Sequence, residues 1–485
     1  MIPTTSNNPT TSNRTKQGVV WAAIDKFGIV LLQFIINLVL ARLLTPDDFG
    51  CVGMIMIFVA VSQTLIDGGF ASALIQKVNA SQTDYSTTFY WNILFSCLLY
   101  LGIFLVAPWV AEFFRIEALE GLLRVLGVVV IINALTLVQR TILRKAINFR
   151  VIAIVDILSC GASVAVAIYM AYRGCGAWSI VGMQLSNALL STILFWSMSK
   201  WRPILTFSVA SFKSLFAYGG YLLIASIMQD VCTHIQGVVI GRNFSASQTG
   251  LYAQAKKMDE VASMTLPSLL CQVFFPLYSE LQDDKEKLRS MLSGNMRMIS
   301  FIIFPLMMLL IIFANPVFVL LYGDKWVDAV PYFQVLCIGG FFSALYNFNY
   351  YAVAAVGRSK ALFYWGCYKW GALLLLLLVG AQISMMGVLV AMVLSCANIY
   401  VTNAFLAQKY IGYRLTAQIR DILPVLMCTL ATGAITYLLY RHLVINWVVC
   451  GLLFMAIYLA MAYMLQLKAF KDAGQLISKL IRKRG

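Results

Sequence analysis

Charge is scarce in this sequence. Asp, Glu, Lys and Arg make up 12% of its 485 residues, about half of the quarter that a soluble chain carries. That shortage excludes a water-soluble globular domain, and a mean hydropathy of +0.83 places the chain among polytopic membrane proteins. Histidine is almost absent, with only His234 and His442. No HExxH, phosphate-binding GxxxxGK, GxSxG or clustered metal ligands occur; these patterns carry zinc hydrolysis, nucleotide binding and serine nucleophiles. No cofactor is therefore expected. The eleven cysteines form no CxxC pair, and all but Cys175 lie in or beside apolar segments. They read as small buried hydrophobes rather than disulfides or ligands. Long polar loops are missing too. The longest charged connection is Ser279 to Arg297, too short for a separate soluble domain.

What the chain has is apolar runs of about 20 residues, the length that crosses a bilayer. They fall near 18–42, 50–74, 86–108, 118–139, 151–172, 177–199, 214–241, 250–278, 298–321, 331–356, 361–381, 386–407, 420–440 and 446–466. The fold class is all-α, a polytopic membrane protein of about fourteen transmembrane helices. A formal charge of +16 invites a nucleic-acid reading, but the bases are dispersed through the short connections. With a cytoplasmic N-terminus, twenty-five of the 36 Lys and Arg face the cytoplasm, six face outward and five fall inside spans. Positive-inside bias accounts for that split and predicts that both ends are cytoplasmic. Residues 1–17 read as a disordered cytoplasmic tail. Val19 to Leu40 is too long for a signal-peptide core and reads as an uncleaved first helix. The basic tail, residues 467–485, is either an interfacial helix on the anionic inner leaflet or a solvated end.

The chain also repeats itself. LARLLTPDDFGCVGM follows the first span and VIGRNFSASQTGLYAQA follows the seventh, with Arg42 matched to Arg242 and Gly50 to Gly250 at an offset of 200. Six spans separate the copies, so both run the same way through the membrane. A parallel repeat of this kind predicts two six-helix lobes around a central cavity. The N-lobe would be 18–200 and the C-lobe 201–408, with an additional helix pair at 409–466.

Eleven charged side chains lie more than two residues inside proposed spans: Asp25, Lys26, Asp67, Arg124, Asp156, Asp230, Lys256, Lys257, Asp259, Glu260 and Lys369. Exposing all of them to lipid would cost on the order of 25 kcal/mol at about 2.5 kcal/mol each, more than the ~5–15 kcal/mol that holds a protein folded. Most must be paired, interfacial or turned toward water. Four of them cluster as KKMDE at 256–260, where the repeat partner has the apolar residues 56–60. Either that cluster lines a cavity, or the span starts at Val261 and the lysines snorkel to the surface. Lys26 lies about two turns from the cytoplasmic end of its span and leaves the same choice. Arg124 follows Glu120 by four residues, a local helix pair. Asp230 and His234 share the i, i+4 spacing, which serves a proton relay, a cation site or a structural hydrogen bond. Lys369 can reach either a cavity or the headgroups. The aromatic runs QVFFPLY and YNFNYYAV line a sugar path or simply pack between helices.

ARLLTPDDFG followed by LIDGGFASALIQK resembles the N-terminal signature of bacterial polysaccharide repeat-unit flippases, the Wzx-type proteins of the multidrug/oligosaccharidyl-lipid/polysaccharide exporter superfamily. GLYAQAKKM, FPLYSELQDDKEKLR, LYGDKWVDAVPYFQVL and YYAVAAVGRSKA resemble the same family in order, so the likeness runs from about Gly18 to Lys409. The resemblance implies fourteen helices, two lobes and alternating access. It also implies a transporter, not an enzyme, that flips undecaprenyl-diphosphate-linked oligosaccharides across the bacterial inner membrane. The products would be O-antigen of lipopolysaccharide, capsule or exopolysaccharide, with the polymerase machinery as a partner. By that likeness Lys26, Lys256 and Lys257 are the bases placed to meet the diphosphate, with Arg42 and Arg242 at the outer mouth. Asp67, Asp230 and His234 are candidates for coupling to H+ or Na+. Two other readings compete. A multidrug antiporter of the same superfamily would carry cations and favour an acidic cavity. A membrane-embedded glycan polymerase or ligase would need an exposed catalytic loop, and the outward stretch 315–331 has no acid–base constellation.

Overall fold

The computed structural model describes residues 28, 32–77, 79–443 and 446–471. The expected N-terminal tail, Lys26 and most of the basic C-terminal tail lie outside the described residues. Among those described there are helices and no strand. By contacts the chain divides at Gly250/Leu251 into two compact units.

The first unit contains α1 (Leu32–Leu43), α2 (Pro46–Asp67), α3 (Phe70–Gln76), α4 (Gln82–Phe114) and α5 (Ala118–Ala134). It continues with α6 (Leu137–Lys145), α7 (Phe149–Tyr172), α8 (Trp178–Met198) and α9 (Val209–Asn243). Its core is aliphatic, with Leu40, Met54, Ile55, Leu123 and Leu126 fully or nearly fully buried. The TPDD motif explains where α2 begins. Thr45 accepts from the Asp48 amide, Asp48 accepts from the Thr45 amide, and Pro46 fills the first helical position. That is a capping box with proline where its missing N–H costs nothing.

The second unit begins within α10 (Ala246–Ser263) and adds α11 (Thr265–Glu280), α12 (Lys285–Ile312), α13 (Ala314–Tyr322) and a 3-10 turn (Asp324–Ala329). Then come α14 (Val330–Ala355), α15 (Ser359–Ile383), α16 (Met385–Ile411), α17 (Leu415–Leu443) and α18 (Trp447–Met464). Helix α14 is central, packed by α11, α12 and α16 and burying Phe333 and Phe348. The last pair rests on α12, where Tyr458 donates to the Phe301 carbonyl at 3.1 Å.

Thirteen of the fourteen apolar stretches fall on a helix or a helix pair, and residues 32–42 of the first fall on α1. Among the described residues, ten helices are long and apolar enough to cross a membrane, or twelve if the bent pairs α5–α6 and α10–α11 each make one span. The rest of the first stretch, apart from residue 28, lies outside the described residues. The molecule is an all-α polytopic membrane protein.

Two findings bear on the repeat. Helix α9, placed in the second lobe by the sequence, packs in the first unit on α2, α3 and α4. The cause is Gly237-x-x-x-Gly241, a small-residue face that lets helices approach closely in lipid. A Cβ on Gly237 would lie 3.2 Å from the Gly53 carbonyl oxygen, and one on Gly241 would strike the Met54 side chain. The second finding is a reciprocal contact. A Cβ on Gly50 would collide with the Ala246 carbonyl, and one on Gly250 with the Pro46 carbonyl. Position 50 thus meets 246 as 250 meets 46, the pattern of a two-fold relation at offset 200. The caps repeat as well, since Ser245 accepts from the Gln248 amide at 3.1 Å, as Thr45 does for Asp48.

Candidate functional site

The charged stretch lies in the second half of α10, an 18-residue helix that bends by 42° into the apolar α11. The helix spreads its four charges around its axis. Lys256 and Glu260 are one turn apart with Nζ and Oε1 at 3.7 Å, and Lys256 Nζ also lies 5.9 Å from the Tyr252 ring. Asp259 turns into the unit toward α14. Its Oδ2 accepts from Ser263 Oγ at 3.3 Å, and a Cβ on Gly340 would lie 3.2 Å from its Oδ1. That oxygen is buried with no hydrogen-bond partner among the described residues. Lys257 points another way and is exposed.

A third base belongs with this group. Lys369 is only 7% exposed, so it reaches neither water nor the headgroups. Its Nζ donates to Asn403 Oδ1 at 2.9 Å, and Asn403 Nδ2 donates to the Tyr346 carbonyl at 3.0 Å. The Tyr350 ring lies 5.7 Å from the same ammonium. Tyr346 links the two clusters, because its hydroxyl sits 3.7 Å from Met264 Sδ at the α10–α11 bend. The second unit therefore carries three bases on α10 and α15, Lys256, Lys257 and Lys369, against two acids, Asp259 and Glu260; Lys369 is buried, whereas Lys257 and Glu260 are exposed. In the sequence Lys369 could reach either a cavity or the headgroups, and it was not among the bases placed at the diphosphate. The signal was there, a single lysine in GCYKWGALLLLLL, but its partner lies 34 residues away on another helix.

Other candidates are separated from this group. Arg242 is exposed, with its guanidinium 5.0 Å from the Phe113 ring centre at the end of α4. Arg42 is exposed in the last turn of α1, at the other copy of the repeat. Asp67 accepts from the Ala71 amide at 3.3 Å and so satisfies the start of α3, a structural use. Asp230 accepts a short hydrogen bond from Thr64 of α2, and His234 lies half-buried one turn further along α9. Arg124 pairs with Glu120 at 2.5 Å as the spacing predicts, and stacks on Phe104 at 4.3 Å. Arg140 pairs with Asp156. Much of the aromatic content is packing: Tyr278 and Phe348 are fully buried, and Tyr278 accepts from Asn295 Nδ2 at 2.7 Å.

Charged side chains are thus held within long apolar helices. The fold belongs to solved transporters. It matches a lipid II flippase, MurJ, in an inward closed conformation, with a TM-score of 0.74 at 14% identity over 92% of this chain and 98% of that one. An inward-facing multidrug resistance transporter of the MATE family matches with a TM-score of 0.63 at 14% identity, covering 81% and 98%. Residues 39–331, more than half of the chain, match the family described as polysaccharide biosynthesis protein. The chain belongs to that family, and it is a transporter rather than an enzyme. Among its relatives, the teichuronic acid biosynthesis protein TuaB of Bacillus subtilis is 26% identical over 88% of this chain and 89% of its own. The lipopolysaccharide biosynthesis protein WzxC of Escherichia coli is 26% identical over 69% and 68%. The succinoglycan biosynthesis transport protein ExoT of Rhizobium meliloti is 25% identical over 75% and 73%.

Proposed function

We propose that this protein flips undecaprenyl-diphosphate-linked oligosaccharide repeat units across the bacterial inner membrane by alternating access, with both termini cytoplasmic. It would feed a surface-polysaccharide polymerase on the far side, with H+ or Na+ as the coupling ion. The observation that carries this reading is the excess of base over acid among Lys256, Lys257, Asp259, Glu260 and Lys369 of the second unit, in a chain of the polysaccharide biosynthesis protein family. A lipid diphosphate brings compact negative charge out of water, and lysines supply counter-charge and donors for it. Lys256 and Lys257 are the proposed contacts, with Lys369 raising the positive potential behind them. A multidrug antiporter would instead favour acids toward its cationic substrate, and here Asp259 of α10 faces Gly340 and Ser263.

The test is export in cells that depend on this protein. Lys256→Ala and Lys257→Ala should make lipid-linked repeat units accumulate on the inner leaflet at normal protein levels. Unfolding is not the cause to expect, because an exposed i, i+4 pair such as Lys256–Glu260 contributes only about 0.3–0.5 kcal/mol. Arginine at either position keeps the charge and should retain more export than alanine. Wild-type export from both alanine variants would remove the diphosphate from α10.

A further inference from the structure

At the end of the second unit where residues 281–284 and 412–414 connect helices, a cavity of 760 Å³ opens beside α12, α16 and α17. Arg289, Ser293, Gln408, Tyr413, Arg414 and Asp421 form most of its wall. Its acid is already engaged. Asp421 Oδ2 accepts from Ser293 Oγ and from the Tyr413 hydroxyl, both at 2.6 Å, and Arg297 Nη1 lies 3.4 Å from Oδ1. Burial first, and then Asp421, push the Tyr413 phenol well above its ordinary value, so it remains a donor. Arg289 and Arg414 are different. Both are exposed, and among the described residues neither has a carboxylate within ion-pair distance. Helix α17 starts beside them with no acid in its first turn, which adds the positive end of its dipole. A volume of this size holds a small polar headgroup, and two arginines at its rim are suited to phosphate oxygens.

We propose that this cavity binds a phosphate group at the membrane surface, held by Arg289 and Arg414. The site is separate from the charged stretch of α10, and its existence does not rest on the transport reading. Two sources present that chemistry: the headgroup of an anionic phospholipid, and free phosphate. The geometry favours the headgroup, because the cavity lies at the end of spanning helices.

The full chain purified in detergent tests this by native mass spectrometry, with phosphatidylglycerol, phosphatidylcholine and inorganic phosphate as probes. Phosphatidylglycerol should be retained over phosphatidylcholine. The double variant Arg289→Gln/Arg414→Gln should weaken that retention about ten- to thirty-fold, the scale of two basic contacts. Neither arginine is in an ion pair, so the unfolding midpoint should not move. Arg420→Gln, the same charge change on α17 but outside the cavity wall, should leave retention intact. If inorganic phosphate binds with the same arginine dependence and the lipids are not distinguished, the source is free phosphate and the site stands. The proposal falls if no probe depends on Arg289 and Arg414, or if Arg420→Gln weakens binding as much as the double variant does.

Discussion

Lys369 takes a positive charge into the interior of the second unit and meets one neutral side-chain acceptor, Asn403 Oδ1. Placing a lysine mid-span costs about 2.5–3.5 kcal/mol, and a hydrogen bond to a charged group returns about 1.5–3 kcal/mol. The arrangement roughly breaks even, so it does little for stability. Replacing a buried charge by an apolar residue of similar size is often neutral or stabilising. Lys369→Met should therefore leave the unfolding midpoint in detergent unchanged or raised, while Asn403 keeps its bond to the Tyr346 carbonyl. If the charge serves the anionic substrate, export should fall severely in the same variant. Normal export with a raised midpoint would make Lys369 a structural remnant. The contrast with Arg124 shows what was readable at this scale. Its pairing with Glu120 follows from four-residue spacing, whereas Lys369–Asn403 and Thr64–Asp230 join helices far apart in sequence. Asp421 was overlooked for the same reason, since its partners come from α12 and the loop before α17.

At the scale of elements, the hydropathy runs located every helix because lipid demands long, internally bonded apolar segments. Breaks within those runs were harder to read. The bend at Met264 falls in VASMTLPSLL, where Pro267 sits near the start of α11, and the apolar character continues through it. The membership of α9 in the first unit was also hidden, because periodicity does not say which helix a small-residue face will meet. The repeat was legible, and its glycines give a test. Gly50→Ala and Gly250→Ala each drive a Cβ into a backbone carbonyl that cannot swing aside. Each should cost about 1–3 kcal/mol, as overpacking does, and lower the unfolding midpoint. Gly102→Ala and Gly161→Ala meet nothing within 4 Å and should be neutral or stabilising by about 0.5–1 kcal/mol. Equal midpoints for all four variants would mean that the reciprocal contact is not closely packed in the membrane.

On the scale of the whole molecule, the question is which way each unit crosses the bilayer, and the distribution of bases predicts an orientation for each unit independently. In the first unit, Lys145 donates to the Leu74 and Lys77 carbonyls, and Trp201 Nε1 donates to Gln82 at 2.7 Å. Those contacts gather the basic connections 77–82, 140–148 and 199–208 at one end. At the other, Arg242 stacks on Phe113 and Gly176 lies against Asp48. In the second unit, Arg358 stacks on Tyr410 at 5.3 Å near the connection 412–414. Its opposite end is aromatic, with Phe313 beside Tyr440 at 5.3 Å and Trp447 at 6.4 Å. The basic ends should both be cytoplasmic, since Lys and Arg near span ends resist translocation, and aromatic residues suit either interface. Single cysteines give the measurement. Arg144→Cys and Lys285→Cys should react with an impermeant maleimide only after the cells are opened, whereas Arg441→Cys should react in intact cells. The parent protein corrects for the eleven native thiols. If Arg144→Cys and Lys285→Cys were labelled from opposite sides, an odd number of crossings would separate them, and the two halves could not be parallel copies. If both were labelled in intact cells, the parallel repeat would survive but the molecule would be inverted. Substrate would then have to enter from the outer face, and the proposed direction of transport would fail.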